Sequence, residues 1–152
     1  ASRIIASSLA SFRPAAAARR VSVIDELPPS AEVLGDAFRL RQAFDNILSN
    51  AIKYTPAGGS IRISGEVSPD DVILRFADTG IGIHPDDLAR VFDPYFRAQS
   101  VRDSSTPGTG LGMGIIRSIV EEQGGSLFLD SELGSGTTVT VILPVRTEAE
   151  AA

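Results

Sequence analysis

The sequence contains no cysteine, a single histidine (His84) and a single lysine (Lys53). Without cysteine there is no disulfide scaffold and no thiolate metal site. One histidine disfavours a His-rich metal centre. No apolar run approaches the ~20 residues of a membrane span, and no signal-peptide pattern opens the chain, so direct membrane contact is not expected. Positive charge is also short: 14 Lys and Arg stand against 19 Asp and Glu, a net charge of −5. That balance argues against a nucleic-acid partner, whose binding modules usually carry a basic face. What is present is ordinary for a folded chain. Its 152 residues are 43% apolar and 22% charged, which fits one domain with a sizeable core rather than disorder.

Along the chain, Ile4, Ile5, Leu9 and Phe12 recur at helical spacing. Pro14 is expected to limit or kink that helix. Residues 1–20 therefore read as an N-terminal helix or linker cut from something longer, since no helix-start signal precedes the first apolar residue. Val21, Val23 and Leu27 alternate as a strand would, and Pro28-Pro29 ends it. Glu32 to Leu34 reads as a second short extended piece. Asp36 is a plausible N-cap for a helix running to about Tyr54, with Leu40, Phe44, Ile47, Leu48 and Ala51 as its buried stripe. Ser60–Val67 and Val72–Asp78 alternate as a hairpin around a Ser-Pro-Asp-Asp turn. Residues 84–110 break the pattern, apart from a short helical piece around 86–90, and read as a lid. Leu111–Gln123 is a further helix, with Ile115, Ile119 and Val120 facing inward, and Gly124-Gly125 stops it. Two strands, 126–130 and 137–143, close the fold, and residues 146–152 read as a frayed tail. The order predicts an α/β (α+β) two-layer sandwich, with helices on one face of a mixed, mostly antiparallel sheet.

Four constellations carry possible chemistry. Asn46, Asn50 and Lys53 lie at i, i+4 and i+7, on one helix face beside the buried stripe. Asparagine is a mediocre helix former. A polar wall is one reading: an amide oxygen suits Mg²⁺, and the only lysine suits phosphate. A solvated face is the other. Asp78 has the parity of Val72, Leu74 and Phe76, so it carries a carboxylate onto the core face, where it needs donors. A ligand's exocyclic amine is one candidate, and a plain turn at Asp78-Thr79-Gly80-Ile81-Gly82-Ile83 is the alternative. Gly108-Thr109-Gly110-Leu111-Gly112-Met113-Gly114 opens a helix and frees backbone N–H groups for an anion. It lacks the preceding strand of a dinucleotide fingerprint and the Lys of a P-loop. Val91 to Arg97 puts three aromatics inside the lid, and Arg97 and Arg102 are its central cations.

In this order the pieces resemble the ATP-binding catalytic domain of sensor histidine kinases, within the group that includes gyrase-, Hsp90- and MutL-type ATPases. LRQAFDNILSNAIKYTP at 40–56 resembles the asparagine box, and DTGIGI at 78–83 the first glycine box. VFDPYFR at 91–97 resembles the phenylalanine box, and GTGLGMG at 108–114 the second glycine box. GSGTTVTVILP at 134–144 resembles the closing strand. The resemblance spans residues 21–145 and implies a Bergerat-type fold binding ATP and Mg²⁺. It implies that Asn50 ligates Mg²⁺ with Asn46 in support, that Lys53 reaches a phosphate, and that Tyr54 lies against the adenine. Asp78 would accept the adenine amino group, while Gly80, Gly82 and Ile83 would pass beneath the ring. Gly108, Thr109, Gly110, Leu111 and Gly112 would wrap the phosphates, Arg97 and Arg102 would meet the terminal one, and Thr137 would help fix the adenine. Met113 stands where the family more often has leucine.

One departure is informative. Hydrolytic relatives place a glutamate, as general base for water, where this chain has Asn46. The site therefore resembles a phosphoryl donor awaiting an external nucleophile. His84 does not match the family's phosphoacceptor, which sits on a separate dimerisation domain. The resemblance thus implies a protein-histidine kinase module of two-component signalling. Its partners would be the acceptor domain of the same protein and a downstream response regulator. The isolated domain would be monomeric and cytoplasmic, in a parent of a family that is often membrane-anchored. Two alternatives are a non-catalytic ATP-sensing or docking module and an anti-sigma-type serine kinase.

Overall fold

The structure, a computed structural model, describes residues 2–27, 36–88 and 112–145. Its elements are α1 (Ser2–Ala18), β1 (Ser22–Asp25), α2 (Ala37–Tyr54), β2 (Ser60–Val67), β3 (Asp71–Asp78), the single-turn α3 (Pro85–Leu88), α4 (Gly112–Glu122), β4 (Ser126–Glu132) and β5 (Gly136–Pro144). The strands form one sheet in the order β1-β2-β3-β5-β4. Among the described residues only β1 pairs parallel, with β2, and the other three pairings are antiparallel. This is the open two-layer α/β sandwich expected.

Strict alternation buries one sheet face. Ile61, Ile63, Val72, Leu74, Phe76, Val139, Val141 and Leu143 point into the core, because side chains two apart share a face. Helix α2 meets them with Leu40, Ala43, Phe44, Ile47, Leu48, Ala51 and Ile52, and the Phe44 and Phe76 rings lie 5.9 Å apart. Asp36 caps α2 as expected, its carboxylate accepting from Phe38 N at 2.9 Å and Arg39 N at 3.2 Å. The same residue's N–H donates to Gln123 Oε1 at 2.7 Å, tying the start of α2 to the end of α4.

Two local expectations are corrected. Of the two outcomes read for Pro14, limiting the helix or kinking it, the first does not occur, since α1 continues to Ala18. Leu9 before the proline and Ala16 after it are both buried, and four alanines favour helix on the far side, so packing outweighs the lost backbone bond. On α4, Ile115 points outward at 39% exposure, and Ile116 joins Ile119 and Val120 in the core. The helical rotation is set by the 116/119/120 stripe, which puts Ile115 on its flank. The extended piece read at 32–34, the lid beyond residue 88 and the tail from 146 lie outside the described residues.

The ends of α1 and α4 share a geometry. Val21 N donates to Ala16 O at 2.9 Å and Arg20 N to Ala17 O at 3.1 Å, while Gly125 N donates to Val120 O at 2.9 Å and Gly124 N to Glu121 O at 3.0 Å. Both are Schellman closures needing a left-handed residue. Gly124 supplies it at φ 82° and Arg20 at φ 57°.

Candidate functional site

The last turn of α2 is held by three carbonyl contacts. Thr55 Oγ1 donates to Ala51 O at 2.6 Å, and Arg19 Nη2 donates to Lys53 O at 2.9 Å. Ile81 N donates to Tyr54 O at 3.1 Å. These satisfy carbonyls that a helix end leaves without partners, and the third brings the 78–83 loop against α2. Asn46, Asn50, Lys53 and Tyr54 are all half-buried. Asn50 Nδ2 donates to Met113 Sδ on α4 at 3.8 Å, and its amide oxygen accepts from no described residue. The side chains of Asn46, Lys53 and Tyr54 bond to no other described residue.

At the end of β3, Asp78 pairs across the sheet with Ile61 on one side and Thr137 on the other. Its Oδ1 accepts from Gly80 N at 2.8 Å and from Thr137 N at 3.2 Å. Its other oxygen, Oδ2, accepts nothing from the described residues. It is not sealed either, since Ser8 Oγ is the one buried unpartnered side-chain polar atom among them. Burial pushes the Asp78 carboxyl above its ordinary value, and the bonds from Gly80 and Thr137 pull part of the way back. A half-buried carboxylate with one oxygen anchored, and the other accepting from no described residue, has acceptor capacity left for a donor.

The glycines of this loop are filled by protein backbone. A Cβ on Gly80 would stand 2.6 Å from Tyr54 O, and one on Gly82, at φ +72°, would stand 2.1 Å from Glu132 O. The β4–β5 turn closes the other side, with Gly134 N donating to Ile81 O at 2.7 Å. Ile83 is half-buried, and its N–H donates to Ser131 Oγ at 2.8 Å. Ser131 was not singled out in the sequence. Its signal was there in parity: Leu127, Leu129 and Ser131 share a face, so a polar residue extends an apolar row, as Asp78 does on β3.

His84 is exposed, and its Nδ1 accepts from Asp86 N at 3.0 Å, at the start of α3. Gly112 is the first residue of α4. Arg97, Arg102, Gly108, Thr109, Gly110 and Leu111, with the phenylalanine box, lie outside the described residues. Among the described residues no three His, Asp or Glu side chains gather to hold a metal, and no helix is long and apolar enough to cross a membrane.

Comparisons with known proteins bear on the family and the fold. The family model described as "Histidine kinase-, DNA gyrase B-, and HSP90-like ATPase" matches residues 35–147. The sensor histidine kinase WalK of Bacillus subtilis is 40% identical over 117 residues, which is 76% of this chain and 19% of that protein. The sensor-like histidine kinase SenX3 of Mycolicibacterium smegmatis is 35% identical over 147 residues, 97% of this chain and 38% of that one. The solved mycobacterial sensor histidine kinase MprB superposes with a TM-score of 0.84 at 31% identity, covering 94% of both chains. The chain belongs to the histidine kinase-, gyrase B- and HSP90-like ATPase family. Within it, it is a catalytic ATP-binding domain of the sensor histidine kinase kind, and it spans well under half the length of these curated relatives.

Proposed function

We propose that this domain binds ATP with Mg²⁺ and donates the γ-phosphoryl group to a histidine on a dimerisation domain of its parent protein. The observation that carries this reading is Asp78: one oxygen fixed by two backbone N–H groups, the other open, at the sheet end beside the loop that packs on α2. That open acceptor suits the amino group of adenine. Tyr54 lies against the base, with Thr137 beside Asp78 and Ile83 lining the same end.

The phosphates run toward the polar face of α2. Lys53 gives a mobile positive charge. Asn50 fits a Mg²⁺ ligand, because its amide nitrogen is turned to Met113 and its oxygen accepts from no described residue. Asn50 would be the one protein ligand, with Asn46 in support, as suits an ion that binds few side chains. When bound, the ion neutralises charge on the phosphate oxygens. Arg97 and Arg102 are assigned to the terminal phosphate, and Gly108, Thr109, Gly110, Leu111 and Gly112 to the wrap around the chain. Asn46 cannot serve as a base for water, so the γ-phosphate waits for an imidazole nitrogen. That nitrogen attacks phosphorus, and ADP leaves with the electron pair of the broken P–O bond. The downstream acceptor is a response regulator.

The test has two stages. Calorimetric titration of the chain with ATP should show saturable binding that Mg²⁺ alters. Adding an acceptor domain should then yield an acid-labile phosphoprotein. Binding with an acid-stable product would point to hydroxyl phosphorylation and end the histidine-kinase reading.

A further inference from the structure

The row that carries Asp78 extends one strand further than the sequence motifs reach. Asp78 pairs with Thr137, and Thr137 pairs with Ser131, so three polar side chains cross β3, β5 and β4 on one face. The Ser131 hydroxyl accepts from Ile83 N at 2.8 Å, donates to Gly136 O at 3.0 Å, and lies 2.8 Å from Thr137 Oγ1. A hydroxyl has one proton. With the proton of Ser131 on the Gly136 carbonyl, the 2.8 Å contact is a hydrogen bond only if Thr137 donates. The single proton of Thr137 is then committed to Ser131, and its oxygen offers lone pairs alone.

We propose that Ser131 is a positioning residue for base selection, fixing the proton of Thr137 so that Thr137 and Asp78 both face the base as acceptors. Two neighbouring acceptors that both face the 6-substituent favour a purine with a 6-amino group, whose two N–H bonds can serve one acceptor each. They disfavour a 6-oxo purine, whose carbonyl would meet lone pairs at a half-buried site. The inference rests on the nucleotide reading above.

The test compares ATP with inosine triphosphate, which carries a carbonyl at position six, by calorimetric titration of the whole chain. In Ser131→Ala the proton of Thr137 is free to turn toward the base. The preference for ATP should narrow about five- to tenfold, the worth of one hydrogen bond. Ser131→Thr keeps the hydroxyl and should keep the preference. On a Thr137→Val background, Ser131→Ala should change the preference no further, because the group it acts through is gone. Should Ser131→Ala lose its cooperative melt, Ser131→Cys, close in size and only a weak sulfur partner, carries the same expectation. A purely structural role would weaken both nucleotides alike and leave the preference unchanged, which would overturn the inference alone. No saturable ATP binding by the unmutated chain would overturn the nucleotide reading, and this inference with it.

Discussion

At the sheet end of the site, Asp78, Thr137 and Ser131 are joined by the protein itself: two backbone N–H groups hold Asp78 and a third holds Ser131. On the polar face of α2, by contrast, the side chains of Asn46 and Lys53 bond to no other described residue, and that of Asn50 has one long contact to a sulfur. On the proposed reading the base end is therefore built in advance, while the α2 side chains assigned to the phosphates have few partners among the described residues. Preorganised groups bind with less loss of freedom and can discriminate. Uncommitted side chains must be ordered on binding, but they can follow a phosphate chain. On this contrast, substitutions at the sheet end should alter stability and base choice together. Those on α2 should alter affinity with the fold left intact.

The largest effect is expected at Gly136. At φ +131°, a Cβ there would lie 2.0 Å from Asp78 O, whereas Gly134 in the same turn, at φ +86°, has nothing within 4 Å of its Cβ position. Gly136→Ala should destabilise by about 2–4 kcal/mol through strain and overpacking. Gly134→Ala should cost about 1 kcal/mol, for the left-handed backbone alone. Equal melting temperatures for the two variants would mean that the turn is not packed on β3, and the base end would lose its claim to be prebuilt.

Next comes Asp78→Asn. The amide oxygen can keep the bonds from Gly80 and Thr137, while its NH₂ replaces the open acceptor with a donor. ATP affinity should fall about tenfold or more, with inosine triphosphate gaining relative to it. Stability should move the other way. Burial raises the carboxyl's folded value, so the folded chain binds the extra proton more readily than the unfolded one. Native stability therefore falls as pH rises from the ordinary carboxylate value through the raised one, and stays lowered above it. Asp78→Asn should melt higher at neutral pH, and the gain should shrink on acidification through that window. A lower melting temperature at pH 7 would show that the charge is needed by the fold as well as the site.

Much of this contrast was legible beforehand because it rests on period. Alternation put Asp78 on the core face, and the i, i+4, i+7 spacing put the asparagines and Lys53 on one side of α2. Pro14 misled because local backbone chemistry was weighed without the burial of Leu9 and Ala16 on either side. Ile115 misled because neighbouring isoleucines differ by only 100° of helical rotation, which the tertiary contact alone resolves. The filling of Gly80 and Gly82 by Tyr54 and Glu132 carbonyls joins segments about 25 and 50 residues apart, beyond any local pattern.

On α2, Asn50→Ala should weaken ATP binding about tenfold in Mg²⁺ and much less without it, since what it removes from the proposed site is one oxygen ligand. The melt should scarcely change, because the Met113 contact it removes is long. An equal loss with and without Mg²⁺ would remove Asn50 from the metal and make it a direct phosphate contact.

The smallest effect is also the one that most directly tests the contrast. Arg19 Nη2 donates to Lys53 O in the last turn of α2, from an exposed position. Cations near a helix C-terminus hydrogen-bond its last carbonyls and complement its dipole, yet an exposed bond of this kind is worth only about 0.5–1 kcal/mol. Arg19→Ala should therefore lower the melting temperature by a few degrees and change ATP affinity by less than about twofold. On the proposed reading the Lys53 side chain reaches a phosphate by its own flexible stem, and Thr55 and Ile81 still hold the turn. A tenfold loss of ATP affinity would mean that the backbone of that turn must be fixed before phosphate binds. The phosphate end would then be prebuilt as well, with Arg19 as its anchor from α1.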